Sequence, residues 1–106
     1  MSGKKILKKM EKINIDKLTY LCKIHNVTKL YLFGSFSKNM QTENSDIDLL
    51  VTFQNVDLYN YFDNYIDLKN KLEKEFNRNV DLVEEQTLKN PFLIESINQS
   101  KQCIYG

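Results

Sequence analysis

The sequence predicts an α/β (α+β) fold, a small mixed β-sheet packed by helices. Three observations predict it. Four short runs favour strands: KLYLF at 29–33, DIDLLVTF at 46–53, VDLV at 80–83 and QCIY at 102–105. A long stretch after Asp57 keeps apolar residues at helical spacing. The order helix, strand, strand, long helix, strand, short helix, strand suits a sheet with helices laid on it.

The elements follow in chain order. KKILKKMEKI (4–13) places Ile6, Leu7, Met10 and Ile13 at helical spacing among lysines, a solvated face rather than a membrane-surface one. A second helical pattern from Asp16 to His25 carries Leu18, Leu21 and Cys22 on one side. KLYLF then runs into Gly34-Ser35, so a strand ends in a tight turn. Residues 36–45, FSKNMQTENS, are mostly polar and read as a loop. DIDLLVTF alternates at its start and becomes continuously apolar, the pattern of a strand entering a sheet covered on both faces.

Asp57 is the expected N-cap of a helix reaching Phe76, with Leu58, Phe62, Tyr65, Leu72 and Phe76 on one side and Lys69 as the exception. In that helix Phe62 and Tyr65 are expected in the core, Tyr59 and Tyr61 partly exposed. Tyr59 is a candidate for contact with a partner. VDLV is a third strand, Pro91 opens a last helix through Ile97, and QCIY is a fourth strand. His25 is expected to cap its helix or face solvent, and Glu84-Glu85 to form a solvated turn.

With 106 residues the chain has room for one core, so residues 1–106 are expected to form a single domain with 1–15 as an N-terminal helical extension. Hydrophobic residues are 42% and charged ones 27%, which excludes wholesale disorder. A net charge of +1 argues against a protein that grips long nucleic acid, whose phosphate contacts need a basic excess. Cys22 and Cys103 lie far apart without a zinc-type spacing and read as two half-buried reduced thiols. No apolar stretch approaches signal-peptide or membrane-spanning length, so a soluble cytoplasmic protein without a membrane partner is expected.

The chemistry concentrates in GSFSKNMQTENSDIDLLV, residues 34–51. Strand alternation sends residues i and i+2 to one face, so Asp46 and Asp48 project together. Two such carboxylates repel unless a cation lies between them, and magnesium takes oxygen ligands shared between carboxylates and phosphates. Asp81, flanked by Val80 and Leu82, is a third acid that needs an explanation, because burying it unpaired is costly. If its strand lies beside the Asp46-Asp48 strand, the three converge. Gly34 would let the backbone approach a phosphate, and the Ser35 hydroxyl could donate to one. A lone Asp-x-Asp pair more often means solvated acids or a cap; the conjunction of strand, Gly-Ser, polar gap, SDIDLLV, long helix and VDLV is hard to obtain from packing alone.

On these residues the chain resembles the minimal nucleotidyltransferases (the MNT group) of the DNA polymerase β superfamily. Their pattern is a strand ending Phe-Gly-Ser, then Ala-Arg-Gly, a short loop, Ser-Asp-x-Asp-Leu and a later acid in a second short strand. The matching residues are Phe33, Gly34, Ser35, Ser45, Asp46, Asp48, Leu49 and Asp81, and the similarity covers about residues 16–106. One departure is Ser37-Lys38-Asn39 in place of Ala-Arg-Gly; lysine keeps the charge and loses the planar fork.

The resemblance implies a polymerase-β-like nucleotidyltransferase fold and a magnesium-dependent enzyme. Asp46, Asp48 and Asp81 are then the catalytic residues and the ligands of two Mg2+ ions. Gly34, Ser35 and Lys38 contact the nucleotide. It further implies transfer of AMP from ATP to a hydroxyl, a tyrosine, of a HEPN-domain toxin with ribonuclease activity, the small protein acting as antitoxin within a hetero-oligomer. The alternative is a catalytically weak or inactive binding module that neutralises the toxin by contact. Modification of a small molecule ranks third, because it would call for more pocket-forming sequence.

Overall fold

A computed structural model describes residues 14–34 and 46–106. The expected helix at 4–13 and the loop at 36–45, with Ser35, Lys38, Asn39 and Ser45, lie outside the described residues.

Helix α1, Ile15–Ile24, starts where the Asn14 side chain accepts from the Lys17 N–H, and Asp16 places an acid in its first turn. Leu18, Leu21 and Cys22 are buried along it, as the spacing predicts. The chain leaves the helix through Asn26 in the left-handed region (φ 59°), which Asn tolerates. It then enters strand β1, Val27–Phe33.

Strand β2 is Ile47–Phe53, helix α2 Leu58–Phe76, strand β3 Val80–Glu84, helix α3 Pro91–Ser100 and strand β4 Gln102–Tyr105. Each of these helix starts is capped, that at Asp57 as the sequence suggests. The Asp57 carboxylate accepts from the Tyr59 N–H, and the Asn90 amide oxygen accepts from Phe92 and Leu93 just ahead of Pro91. No helix among the described residues is long and apolar enough to cross a membrane.

The sheet order is β3-β2-β1-β4. β1 is antiparallel to β2 and to β4, and β3 is parallel to β2, so the sheet is mixed. Ile47, Leu49 and Val51 of β2, Leu30 and Leu32 of β1, and Val80 and Leu82 of β3 join α1 and α2 residues in the main core. Leu50 and Ile97 are buried on the other side, where α3 packs. β2 is thus covered on both faces over its apolar middle, which explains its unbroken apolar run.

The outer edge of β3 is tied to α2. Glu73 accepts the Val80 N–H at 2.9 Å, the Tyr65 hydroxyl donates to the Leu82 carbonyl, and Lys69 donates to Glu73 at 3.1 Å. Such capping satisfies backbone groups that an edge strand otherwise leaves open.

Four expectations are corrected. Phe62 is 69% exposed and Leu58 91%, and Tyr65 is only partly buried; Tyr61 is partly exposed as expected, its ring against Phe53 (ring centroids 5.7 Å) and Tyr65 (6.4 Å). The buried stripe of α2 is Leu68, Leu72 and Phe76, continued toward the N-terminus by the partly buried Tyr61 and Tyr65. At ~100° per residue, Phe62 falls about 80° from the centre of that stripe and Tyr61 about 20°. His25 caps α1 but is buried, its Nδ1 against the Leu21 carbonyl (2.6 Å) and its Nε2 against Asp67 (2.7 Å). The cysteines are not both half-buried: Cys22 is fully buried, with its thiol pushed up to about 12 by burial, and Cys103 is exposed. Glu84 and Glu85 are engaged rather than merely solvated. Glu84 accepts from the Gln86 N–H at the start of a short 3-10 turn (Glu85–Thr87), and Glu85 accepts from the Thr52 hydroxyl.

Candidate active site

Two strand registers converge on Asp48. Along β1 and β2, Phe33 is opposite Asp48; along β2 and β3, Asp48 is level with Asp81. Ile47 and Leu49 on either side of Asp48 point into the core, as do Val80 and Leu82 on either side of Asp81. Alternation therefore turns both carboxylates to the opposite face, on neighbouring parallel strands roughly 4.8 Å apart. Asp46, one residue ahead of β2, is exposed, and the adjoining Ile47 N–H donates to the Asn79 carbonyl at 2.9 Å, pinning the start of β2 to the start of β3.

Electrostatics mark Asp48 as the strained member. Burial raises its pKa first, and the charges of Asp81 and Asp46 raise it further. Two acids within field range of a half-buried third form a negative pocket that a cation would relieve. Tyr65 reports the same field from the helix side: burial, then the Asp81 charge, raises its hydroxyl.

Gly34 closes β1 with φ 71°, a conformation glycine adopts without penalty. A Cβ at Gly34 would overlap the Asp48 carboxylate oxygen. The sequence suggested that the missing side chain makes room for a phosphate; in the structure that room is held by Asp48. Gly34 thus shapes the site by admitting a carboxylate beside the end of β1.

Whether these residues suit magnesium can be judged from the donor set. Asp46, Asp48 and Asp81 offer hard oxygens only, and burial, then the charges of Asp81 and Asp46, raise the Asp48 pKa, an arrangement that a cation would relieve. Among the described residues, no group of three or more His, Cys, Asp or Glu side chains is arranged to hold an ion by itself. The acids suit magnesium in its usual manner, with one or two carboxylates supplying part of the shell and phosphate oxygens and water the rest.

Of the residues singled out in the sequence, Gly34, Asp46, Asp48 and Asp81 are brought to one end of the sheet. Ser35 and Lys38 lie outside the described residues. Tyr59, 92% exposed, belongs to the first turn of α2. Sequence reasoning gave Tyr65 only a place in the core and passed over Glu73; the two grip the backbone on either side of Asp81. Lys69, out of place on an apolar face, was the signal pointing to them.

Comparison with known proteins agrees with this fold. The profile of the family described as Polymerase beta, Nucleotidyltransferase matches residues 16–106. A Methanocaldococcus jannaschii protein provisionally named a protein adenylyltransferase is 38% identical over 96 residues, which cover 91% of this chain and 88% of that protein. The protein adenylyltransferase MntA of Shewanella oneidensis is 32% identical over 100 residues, covering 88% of this chain and 66% of MntA. A crystal structure of a toxin-antitoxin with AMP-PNP superposes with a TM-score of 0.68 at 27% identity, over 89% of this chain and 74% of that one. The chain belongs to the nucleotidyltransferase family of polymerase beta, in its minimal (MNT) branch.

Proposed function

We propose that this nucleotidyltransferase moves AMP from ATP to a hydroxyl of a partner protein, a tyrosine of a HEPN-domain toxin, and acts as the antitoxin of the pair. The observation that carries the reading is Asp48 level with Asp81 on a parallel neighbour, with Asp46 beside it. Support also comes from MntA, named a protein adenylyltransferase, and from the similar toxin-antitoxin crystallised with AMP-PNP.

Asp46 and Asp48 would hold two Mg2+ ions, one reaching Asp81 as well; bound magnesium supplies neutralisation of the triphosphate charge. The chain's own residues do the remaining work. The backbone at Gly34, the Ser35 hydroxyl and the Lys38 ammonium hold the phosphate tail. Asp81 accepts the proton of the attacking tyrosine hydroxyl, whose oxygen bonds to the α-phosphorus as the bond to the β-phosphate oxygen breaks. Pyrophosphate leaves and AMP stays on the partner. The exposed Tyr59 at the start of α2 is a partner-contact candidate.

A second reading is neutralisation by contact, favoured by Ser37-Lys38-Asn39 standing where the family has Ala-Arg-Gly. Position-specific labelling tests the reaction. With the partner, ATP and magnesium, label on the α-phosphate is expected on the partner and label on the γ-phosphate in released pyrophosphate. Label from the γ-position on the partner would make the chain a phosphotransferase instead. No label from either position would leave only the contact reading.

A further inference from the structure

Lys69 borders the buried stripe of α2, about 60° from its centre at ~100° per residue, and is partly buried, where packing alone gives an ammonium no role. Its neighbours one turn to either side, Tyr65 and Glu73, are four residues away and share its face. All three converge on one short piece of backbone. Glu73 accepts the Val80 N–H at 2.9 Å, Lys69 holds that carboxylate at 3.1 Å, and the Tyr65 hydroxyl donates to the Leu82 carbonyl. Val80 and Leu82 are the residues on either side of Asp81.

Among the described residues β3 is an edge strand, with β2 on one side only. Its outward backbone groups have no ladder partner, and an edge held from one side frays and slips more readily than a central strand. We propose that Tyr65, Lys69 and Glu73 are positioning residues for Asp81: they clamp the open edge of β3 on both sides of it and so keep its carboxylate level with Asp48. The role rests on the reading of Asp81 as a catalytic carboxylate. Such a group works only within roughly 0.5 Å of its productive place, so loosening the strand should damage the transfer step more than nucleotide binding. The depressed Glu73 pKa, owed first to the Val80 N–H and then to Lys69, accords with a carboxylate held ionised for this task.

The test compares wild type with Tyr65→Phe, Glu73→Ala, Glu73→Gln and Lys69→Met. Amide hydrogen exchange is followed on the nucleotide-free protein, and AMP transfer is followed with the HEPN partner, ATP and magnesium. Tyr65→Phe and Glu73→Ala are expected to speed exchange at residues 80–83 and to lower kcat by about tenfold or more, with KM for ATP changed by less than about threefold. Lys69→Met should do the same more weakly. Glu73→Gln, which keeps an acceptor for the Val80 N–H, should recover most of the loss. Thermal unfolding identifies folded variants, and Lys69→Met serves if either larger lesion fails to fold. Unchanged exchange at 80–83 in folded variants, or a kcat that tracks thermal stability without rescue by glutamine, would overturn the proposal. If the wild type transfers no AMP, the functional reading fails by itself, and exchange at 80–83 still decides whether these side chains hold the strand.

Discussion

Asp48 is disfavoured where it stands: half-buried, beside two other acids, with a pKa raised by all three circumstances. A carboxylate whose folded pKa lies above its unfolded value weakens the fold once pH exceeds the unfolded value, because the folded state holds the proton more tightly. Asp48→Asn removes that burden while keeping the shape. The expected outcome is a thermal midpoint equal to wild type or a few degrees higher without metal, with loss of magnesium-dependent ATP binding by calorimetry. Undiminished ATP affinity in this variant would remove Asp48 from the site. The acids themselves were legible in the sequence, because alternation alone pairs Asp46 with Asp48 and flags Asp81 between two apolar residues. The partner of Gly34 was not. Its contact with Asp48 depends on the register between β1 and β2, which joins residues across an intervening polar gap and leaves no local trace.

Helix α2 shows what periodicity does and does not fix. Its bounds follow from local chemistry, the Asp57 cap at one end and Asn77 in the left-handed region at the other (φ 53°). Its facing was less legible, since Phe62 and Tyr61 flank the same stripe and only the sheet beneath decides between them. The helix also carries two carboxylates held below the usual range. Asp67 is lowered first by its bond from Lys71 and then by that from His25, and Glu73 first by the Val80 N–H and then by Lys69. For a depressed carboxylate the contribution is full above the unfolded value, about pH 4, and is lost as pH falls through the folded one. Thermal unfolding followed from pH 6 down to about pH 3 should therefore show falling stability below about pH 4, and Asp67→Asn with Glu73→Gln should flatten that limb. An acid limb of the same steepness in the double variant would show that these pairs do not couple to folding.

Across the whole molecule, one sheet separates stability from chemistry. Leu30, Leu32, Leu49, Leu68, Leu72 and Leu82 are buried between the sheet and the α1–α2 layer, each contributing about 1.5–3 kcal/mol on removal from water. The acids face the other way, at the start of β2 and β3, on the face where Leu50 is buried further along β2. The order β3-β2-β1-β4 makes this possible by setting the two acid-bearing strands side by side. For the described residues the sequence disclosed the helices and strands in their chain order; the strand order it left open, beyond the condition that the Asp81 strand lie beside that of Asp46 and Asp48. On the proposed reading these acids transfer AMP to a protein partner rather than supporting a binding surface. Intact mass spectrometry of the HEPN partner after incubation with this protein, ATP and magnesium tests it most directly. The expected result is one or more added AMP masses, partner inactivity that persists once this protein is removed, and neither effect with a triple Asp46, Asp48, Asp81 to Asn variant. Silencing by that triple variant as complete as by wild type, with no mass added in either case, would contradict it.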